Sequence, residues 1–205
     1  NLIAKYFNIL HINQKTYYNF FMKIFITGIA GFLGSHLAKH LVNLGHEVSG
    51  NDSMIGGEMD NVPKKIKFYK NDCTDLKKMT EITKGIEIIY HCAATAHEGL
   101  SVFSPNFITK NNYLASTSVI TASIINKIKR FVFCSSMARY GEQKTPFTEN
   151  METMPIDPYG IAKVASEKCL IHLAELNGME WNIAVPHNII GPNQKYDDPY
   201  RNVIS

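Results

Sequence analysis

The stretch Ile24 to Leu37, IFITGIAGFLGSHL, constrains this chain more than any other. An apolar run, Ile24-Phe25-Ile26, ends at Thr27-Gly28; Gly31 and Gly34 follow, and Leu33, Leu37 and Leu41 then fall at helical spacing. The pattern predicts a strand, a tight turn and a helix. Gly28 permits the turn, Gly31 lets a pyrophosphate approach the backbone, Gly34 lets helix and strand pack closely, and the helix N-terminus offers free N–H groups. The same glycines would also serve a tight turn that holds no ligand, so the rest of the chain has to decide.

Downstream, strand and helix alternate. Phe32 to Leu44 reads as an amphipathic helix closed by Gly45, Glu47 to Asn51 as a second strand ending at Asp52, Ile66 to Lys70 as a third strand, and Asp75 to Thr83 as a short helix. Ile86 to Cys92 is a fourth strand, apolar almost throughout, as suits a parallel sheet covered on both faces. Ala93 to Phe107 reads as a loop, Asn111 to Lys127 as a long helix, and Arg130 to Cys134 as a fifth strand emptying into Ser135-Ser136. Pro158 to Leu176 is a further helix, stopped by Asn177-Gly178, and Trp181 to Val185 a sixth strand ending at Pro186. This order predicts an α/β fold with a doubly wound parallel sheet of the Rossmann type, whose ligands bind beyond the carboxyl ends of the strands.

Composition narrows the partners. The chain has 205 residues, 45% hydrophobic and 19% charged, which is ample material for such a core. The net charge of +3 is spread over scattered lysines, and the densest cluster, Lys64, Lys65, Lys67 and Lys70, reads as a solvated loop and edge, so no nucleic acid is expected. No apolar run reaches the ~18 residues of a membrane span, so no membrane is expected either. Cys73, Cys92, Cys134 and Cys169 are widely separated and form no CxxC pair. They fit free thiols in a reducing, cytoplasmic setting better than disulfides or zinc, and no metal site is expected. Residues 1–21 lack the cleavage site and uninterrupted apolar core of a signal peptide. Met22 directly precedes the first strand, so they are read as an N-terminal extension, either foreign to the native coding sequence or forming a short helix packed on the domain.

Two constellations carry chemistry. Asp52 closes the second strand, 18 residues after Gly34. An acid there can accept both hydroxyls of an adenosine ribose and would repel a 2′-phosphate, favouring NAD over NADP; the alternative is a plain turn aspartate. Tyr159 and Lys163 lie four residues apart, on one face early in a helix. A phenol with a pKa of ~10 is a poor base at neutral pH, and a cation beside it favours the phenolate, each pKa unit being worth ~1.4 kcal/mol. Chance often brings a tyrosine and a lysine to this spacing. Ser136 raises the odds, because the fifth strand delivers its hydroxyl to the same crevice, where it could hold a substrate oxygen.

Together these residues resemble the extended short-chain dehydrogenase/reductases, and within them the NAD-dependent nucleotide-sugar epimerase/dehydratase family, in the pattern of its UDP-glucose 4-epimerases. The resemblance is carried, in family order from Met22 to about Pro192, by Thr27-Gly28-Ile29-Ala30-Gly31-Phe32-Leu33-Gly34, Asp52, Asp72-Cys73, His91-Cys92-Ala93-Ala94, Asn111-Asn112, Ser135-Ser136 with Tyr140-Gly141, Tyr159-Gly160-Ile161-Ala162-Lys163 and Asn188-Ile189-Ile190-Gly191-Pro192.

The resemblance implies NAD as cofactor. It places Gly28, Ala30, Gly31, Phe32, Leu33 and Gly34 at the pyrophosphate, Asp52 at the ribose, Asp72 and Cys73 at the adenine, and Ala93 and Ala94 along the cofactor. Asn112 is similar to the asparagine that steadies the active site, Pro186 and His187 take the adjoining cofactor- and substrate-side positions, and Asn188 faces the nucleotide-sugar diphosphate. For His187 a plain loop histidine is an equal reading. Ser136 matches the catalytic Ser/Thr, Tyr159 the general acid/base, and Lys163 the residue that binds the nicotinamide ribose and lowers the tyrosine's pKa.

The expected activity is NAD-dependent epimerisation of a nucleotide-sugar, preferably a UDP-sugar, through a transient 4-keto sugar. A dehydratase, decarboxylase or reductase on the same scaffold is the alternative, and a non-catalytic NAD-binding regulator is a third. Met137 and Ala138 stand where dehydratases of this family carry acids, which argues against 4,6-dehydration and, more weakly, against decarboxylation. Arg139 replaces the usual apolar residue before Tyr140-Gly141 and faces either substrate or solvent. The loop from Thr95 to Pro105, with His97, Glu98 and Ser101, matches no single substrate class, and Gln194 to Asn202 is expected near the substrate cleft. Relatives continue past the Gly-Pro loop into a smaller substrate-binding domain. Residues 22–205 are therefore expected to be the Rossmann domain of a truncated enzyme, forming a homodimer at full length through the helices at Asn111–Lys127 and Pro158–Leu176.

Overall fold

The computed structural model describes residues 21–192 and residue 194. Six strands, β1 (Lys23–Thr27), β2 (Glu47–Asp52), β3 (Lys67–Lys70), β4 (Ile88–His91), β5 (Arg130–Cys134) and β6 (Glu180–Ala184), form one parallel sheet in the order β3-β2-β1-β4-β5-β6. The strand order reverses between β1 and β4. Their carboxyl ends consequently splay apart from opposite connections and leave a crevice above them.

Alternation along β1 explains the two core layers. Ile24 and Ile26 point to one face and pack with Ile29, Ala38, Leu41 and Val48. Phe25 points to the other, where Ile89, Phe131 and Phe133 continue the sheet and Val119, Ile120 and Leu170 cover it. Registered pairs run straight across this second face, Phe25 beside Ile89, Ile89 beside Phe131 and Phe131 beside Trp181.

The helices form on each side. Helix α1 (Phe32–Asn43) buries Ala38 and Leu41, and it ends where Gly45 adopts φ +90° and donates to the Val42 carbonyl at 3.0 Å. Helix α2 (Leu76–Ile82) starts at Asp75, whose carboxylate accepts the Lys78 N–H. The segment after β4, expected as a loop, instead contains helices α3 (Glu98–Phe103) and α4 (Pro105–Ile108). The chain then continues through a π-turn (Thr109–Leu114) into α5 (Ala115–Ile125). Pro105 reads as a breaker but sits in the first helical turn, where its missing N–H costs nothing, so the helix expected from Asn111 is already under way at Pro105. A single 3₁₀ turn (Met137–Tyr140) follows β5, and α6 (Pro158–Asn177) ends at Gly178 with φ +66°.

No described helix is long and apolar enough to cross a membrane. The expectations for residues 1–20 and for the 195–202 stretch fall outside the described residues.

Candidate active site

A cavity of ≈ 570 Å³ opens at the carboxyl ends of the strands, at the point where their order reverses. Its first wall is the glycine turn. Gly28 has φ +68°, and a Cβ there would lie 2.8 Å from the Ala93 backbone; a Cβ on Gly34 would lie 2.2 Å from the Gly28 carbonyl oxygen. No side chain fits at either position, so the backbone itself borders the cavity. Helix α1 begins at Gly31 with no side-chain cap, and Gly31, Phe32, Leu33 and Gly34 line the cavity. Uncapped N–H groups at the positive end of a helix suit an anionic pyrophosphate.

Asp52 lies beside this turn. One carboxylate oxygen accepts the Ala30 N–H at 3.1 Å and the other the Met54 N–H at 2.8 Å. Burial raises its pKa, and the N–H groups of Met54, Ala30 and Gly31 oppose that shift. A carboxylate with about four acceptor sites still has room for a ribose hydroxyl beside these N–H groups. Farther along the same wall, Asp72 accepts both the backbone N–H and the hydroxyl of Thr74, at 2.8 and 2.9 Å. Cys73 accepts an N–H from Asn51 at 3.3 Å, and burial pushes its thiol up to about 12. Asp52, Asp72 and Cys73 all line the cavity. Ala30 does not: it is fully buried, with its N–H on Asp52 and its carbonyl accepting from Glu58 and Asn61.

The end of β4 is fixed by a chain of hydrogen bonds whose polarity can be worked out. Ser116 donates its hydroxyl to the Asn112 carbonyl at 2.5 Å, so it must accept from His91 Nε2–H at 2.9 Å. His91 Nδ1 is then the acceptor for the Thr27 hydroxyl at 2.7 Å, and the Thr27 oxygen accepts the Ala93 N–H at 3.1 Å. His91 is thus a neutral Nε2–H tautomer linking β1, β4 and the π-turn, and its burial drops the pKa to about 3. Asn112 itself is 1% exposed, and its amide clamps Thr95, accepting that residue's N–H at 2.8 Å and donating to its carbonyl at 3.1 Å. It stands behind the cavity, holding the segment that carries Ala93 and Ala94, which do line it.

The other end of the cavity is built by β5 and α6. Ser136 caps the 3₁₀ turn, its oxygen accepting the Ala138 N–H at 3.2 Å, which leaves the hydroxyl hydrogen free to donate to a ligand. Asp157 caps α6 by accepting the Gly160 N–H at 2.9 Å, and a Cβ on Gly160 would meet the Ala138 carbonyl at 2.8 Å, so the helix starts directly against the serine turn. Tyr159 and Lys163 follow, 6% and 3% exposed. The Lys163 ammonium donates to the Cys134 carbonyl at 2.7 Å and lies 5.8 Å from the centre of the Tyr159 ring. Ser136, Tyr159 and Lys163 share the cavity with Asp52 and the glycine turn.

Known proteins resemble this chain over nearly all of its described residues. Residues 24–205 match the sequence profile of the NAD dependent epimerase/dehydratase family. This chain belongs to that family. It is 32% identical over 177 residues to the UDP-glucose 4-epimerase of Streptomyces lividans, covering 84% of this chain and 54% of that protein. It is 33% identical over 181 residues to the GDP-mannose 3,5-epimerase of Arabidopsis thaliana, covering 83% of this chain and 48% of that one. Among solved structures, the Thermus thermophilus UDP-glucose 4-epimerase in complex with NAD superimposes with a TM-score of 0.83 at 30% identity, covering 88% of this chain and 58% of that one. The chain spans about half the length of the curated relatives it matches.

NAD is the cofactor of the epimerase/dehydratase family, and the residues present fit it: a glycine cradle no side chain could occupy, an uncapped helix N-terminus and a buried acid at the end of β2. Pro186 and Asn188 also line the cavity. Asn188 is exposed with φ +46°, its amide 3.3 Å from His187 Nε2. The loop they begin folds back over α1, with the Pro192 carbonyl 2.8 Å from the His36 ring and a Cβ on Gly191 reaching 3.2 Å from the Phe32 ring.

Two groups escaped the sequence reading. Arg139 faces neither substrate nor solvent; it pairs at 3.1 Å with Glu167, whose side chain is 3% exposed. Glu167 follows Lys163 by one helical turn, and that spacing was the available signal. The second group is the loop after Asp52, where a Cβ on Gly57 would come within 2.9 Å of the Asp52 carboxyl; no pattern in the sequence announced it. All four cysteines are free, and burial raises each thiol, which keeps them protonated and chemically quiet. No cluster of metal-ligating side chains occurs among the described residues.

Proposed function

We propose that this chain is the NAD-holding and catalytic part of a nucleotide-sugar 4-epimerase, with a UDP-sugar as substrate. The observation that carries the reading is the convergence of Ser136, Tyr159 and Lys163 on the cavity bordered by the glycine turn and Asp52. A binding module needs only the second half of that set.

Bound NAD would supply a hydride acceptor that later returns the hydride. The chain's own residues manage protons and orientation. Tyr159 removes the proton of the sugar 4-hydroxyl as the carbon is oxidised, and gives it back after the resulting 4-keto sugar has turned over. Ser136 donates its free hydroxyl hydrogen to the same sugar oxygen. Lys163, with one N–H on Cys134, keeps two donors for the cofactor ribose and the space beside Tyr159. Asn188, at the open edge, is suited to the nucleotide-sugar diphosphate.

One observation favours a dehydratase. Glu98 lines the cavity, and burial together with Asp157 raises its pKa while His187 opposes this, so a carboxylic acid is available although Met137 and Ala138 are not acids. Incubation of the full-length protein with UDP- and GDP-sugars separates the readings. The expected product is the C4 epimer without net NADH, and accumulation of a 4-keto-6-deoxy sugar would sink the epimerase reading. Tyr159→Phe should abolish turnover and leave NAD affinity within about 2-fold, since only the proton-transferring hydroxyl is removed; loss of both together would contradict the role given to Tyr159.

We further propose a homodimer. Phe103, Leu114 and Ile161 are 81%, 48% and 54% exposed on α3, the π-turn and α6, an apolar surface that a second copy would cover. Sedimentation of the full-length protein should give twice the chain mass, and a monomer at micromolar concentration would refute it.

A further inference from the structure

Arg139 departs from the family pattern and plays no part in the chemistry described above. Its surroundings are nevertheless specific. The Glu167 carboxylate accepts the Ser135 hydroxyl on one oxygen and the Arg139 guanidinium, at 3.1 Å, on the other. Ser135 immediately precedes Ser136, and Arg139 follows it by three residues. One buried carboxylate therefore holds both flanks of the turn that presents the Ser136 hydroxyl.

The carboxylate belongs to α6. Lys163 and Glu167 continue the helix face begun by Tyr159, and Lys163 grips the residue before Ser135 through the Cys134 carbonyl at 2.7 Å. Cys134, Ser135 and Arg139 are thus tied to successive turns of the helix that carries the acid/base. The guanidinium carbon lies 5.1 Å from the centre of the Tyr140 ring, and the Nε has no hydrogen-bond partner among the described residues. At 15% exposure the side chain meets little water, and it is not among the residues that line the cavity.

We propose that Arg139 is a positioning residue, which through Glu167 fixes the Ser136 hydroxyl relative to Tyr159. The proposal rests on the epimerase reading for its kinetic consequence. A buried carboxylate and guanidinium offset each other's desolvation, so removing one alone strands a charge, whereas removing both leaves a neutral, foldable site. The informative variant is accordingly R139L/E167Q, in which the glutamine oxygen still accepts from Ser135 but the tie to residue 139 is gone. R139K serves as the conservative control.

In the full-length protein, R139L/E167Q should lower kcat by about 10-fold with nucleotide-sugar KM and NAD affinity within about 2-fold, and R139K should recover most of the loss. In a Ser136→Ala background the same pair of changes should cost nothing further, because the clamp acts through that hydroxyl. An undiminished kcat, or an equal loss with and without Ser136, would overturn the proposal. If the unaltered protein turns over no nucleotide-sugar, the epimerase reading fails by itself and the clamp is decided by amide exchange in the 205-residue chain. The Ala138 N–H, held by the Ser136 oxygen, should then exchange about 10-fold faster in R139L/E167Q while the Ala174 amide is unchanged; equal rates would refute the clamp.

Discussion

His91 shows how much one side chain can organise. Its two ring nitrogens join Thr27 at the end of β1 to Ser116 beyond the π-turn, and both bonds require the neutral ring in a single tautomer. The folded ring titrates at about 3, against an ordinary value of 6.5. Between those values the unfolded chain binds the proton and the folded chain does not, so the contribution is complete above pH 6.5 and falls away as pH drops. Asp52, Glu98 and Glu167 have raised values and act in the opposite sense, so a comparison with His91→Gln isolates the histidine. The stability advantage of the unaltered chain over His91→Gln, from urea unfolding, should shrink by about 2 kcal/mol between pH 7 and pH 5. An advantage that does not change with pH would show that the folded ring takes up its proton over the same range as the unfolded chain and is not held neutral.

At the scale of elements, the N-terminus of α6 sets Tyr159 in place. Asp157 accepts the Gly160 N–H at 2.9 Å and so caps α6, while the Ser101 hydroxyl of α3, which donates to the Glu98 carbonyl at 2.6 Å, stands 3.3 Å from the same carboxylate. Asp157→Ala should destabilise the chain by about 1–2 kcal/mol, read from urea unfolding, and a loss below about 0.3 kcal/mol would mean the cap is replaced by water at no cost. The start of α6 at Pro158 was legible in the sequence, as β1 and α1 were from the apolar run and the glycines, because in both places local sequence and tertiary packing demand the same conformation; the Asp157 cap emerges only from the structure. Helices α3 and α4 were not legible. Thr95, Ser101, Ser104 and Pro105 give a polar, broken pattern, and the segment is anchored from outside it, where the Asn112 amide grips both the N–H and the carbonyl of Thr95. Glu167 was hidden for a related reason. A glutamate one turn after a lysine reads as a solvated surface pair, and only the folded position of the 3₁₀ turn reveals that both are buried.

Across the described molecule, the sheet order brings residues that are far apart in the chain around one cavity: the glycine turn and Asp52 from one half, Ser136, Tyr159 and Lys163 from the other. The chain spans about half the length of the curated relatives it matches. The glycine turn and Asp52 share one cavity with Ser136, Tyr159 and Lys163 within this chain, and the activity proposed for them is hydride removal from, and return to, a single carbon. The direct measurement is turnover of UDP-glucose deuterated at C4 by the full-length protein in ordinary water. Retention of the deuterium at C4 in both epimers, with none appearing in free NADH, is the predicted result. Loss of the label to solvent, or its accumulation in released NADH, would contradict the account.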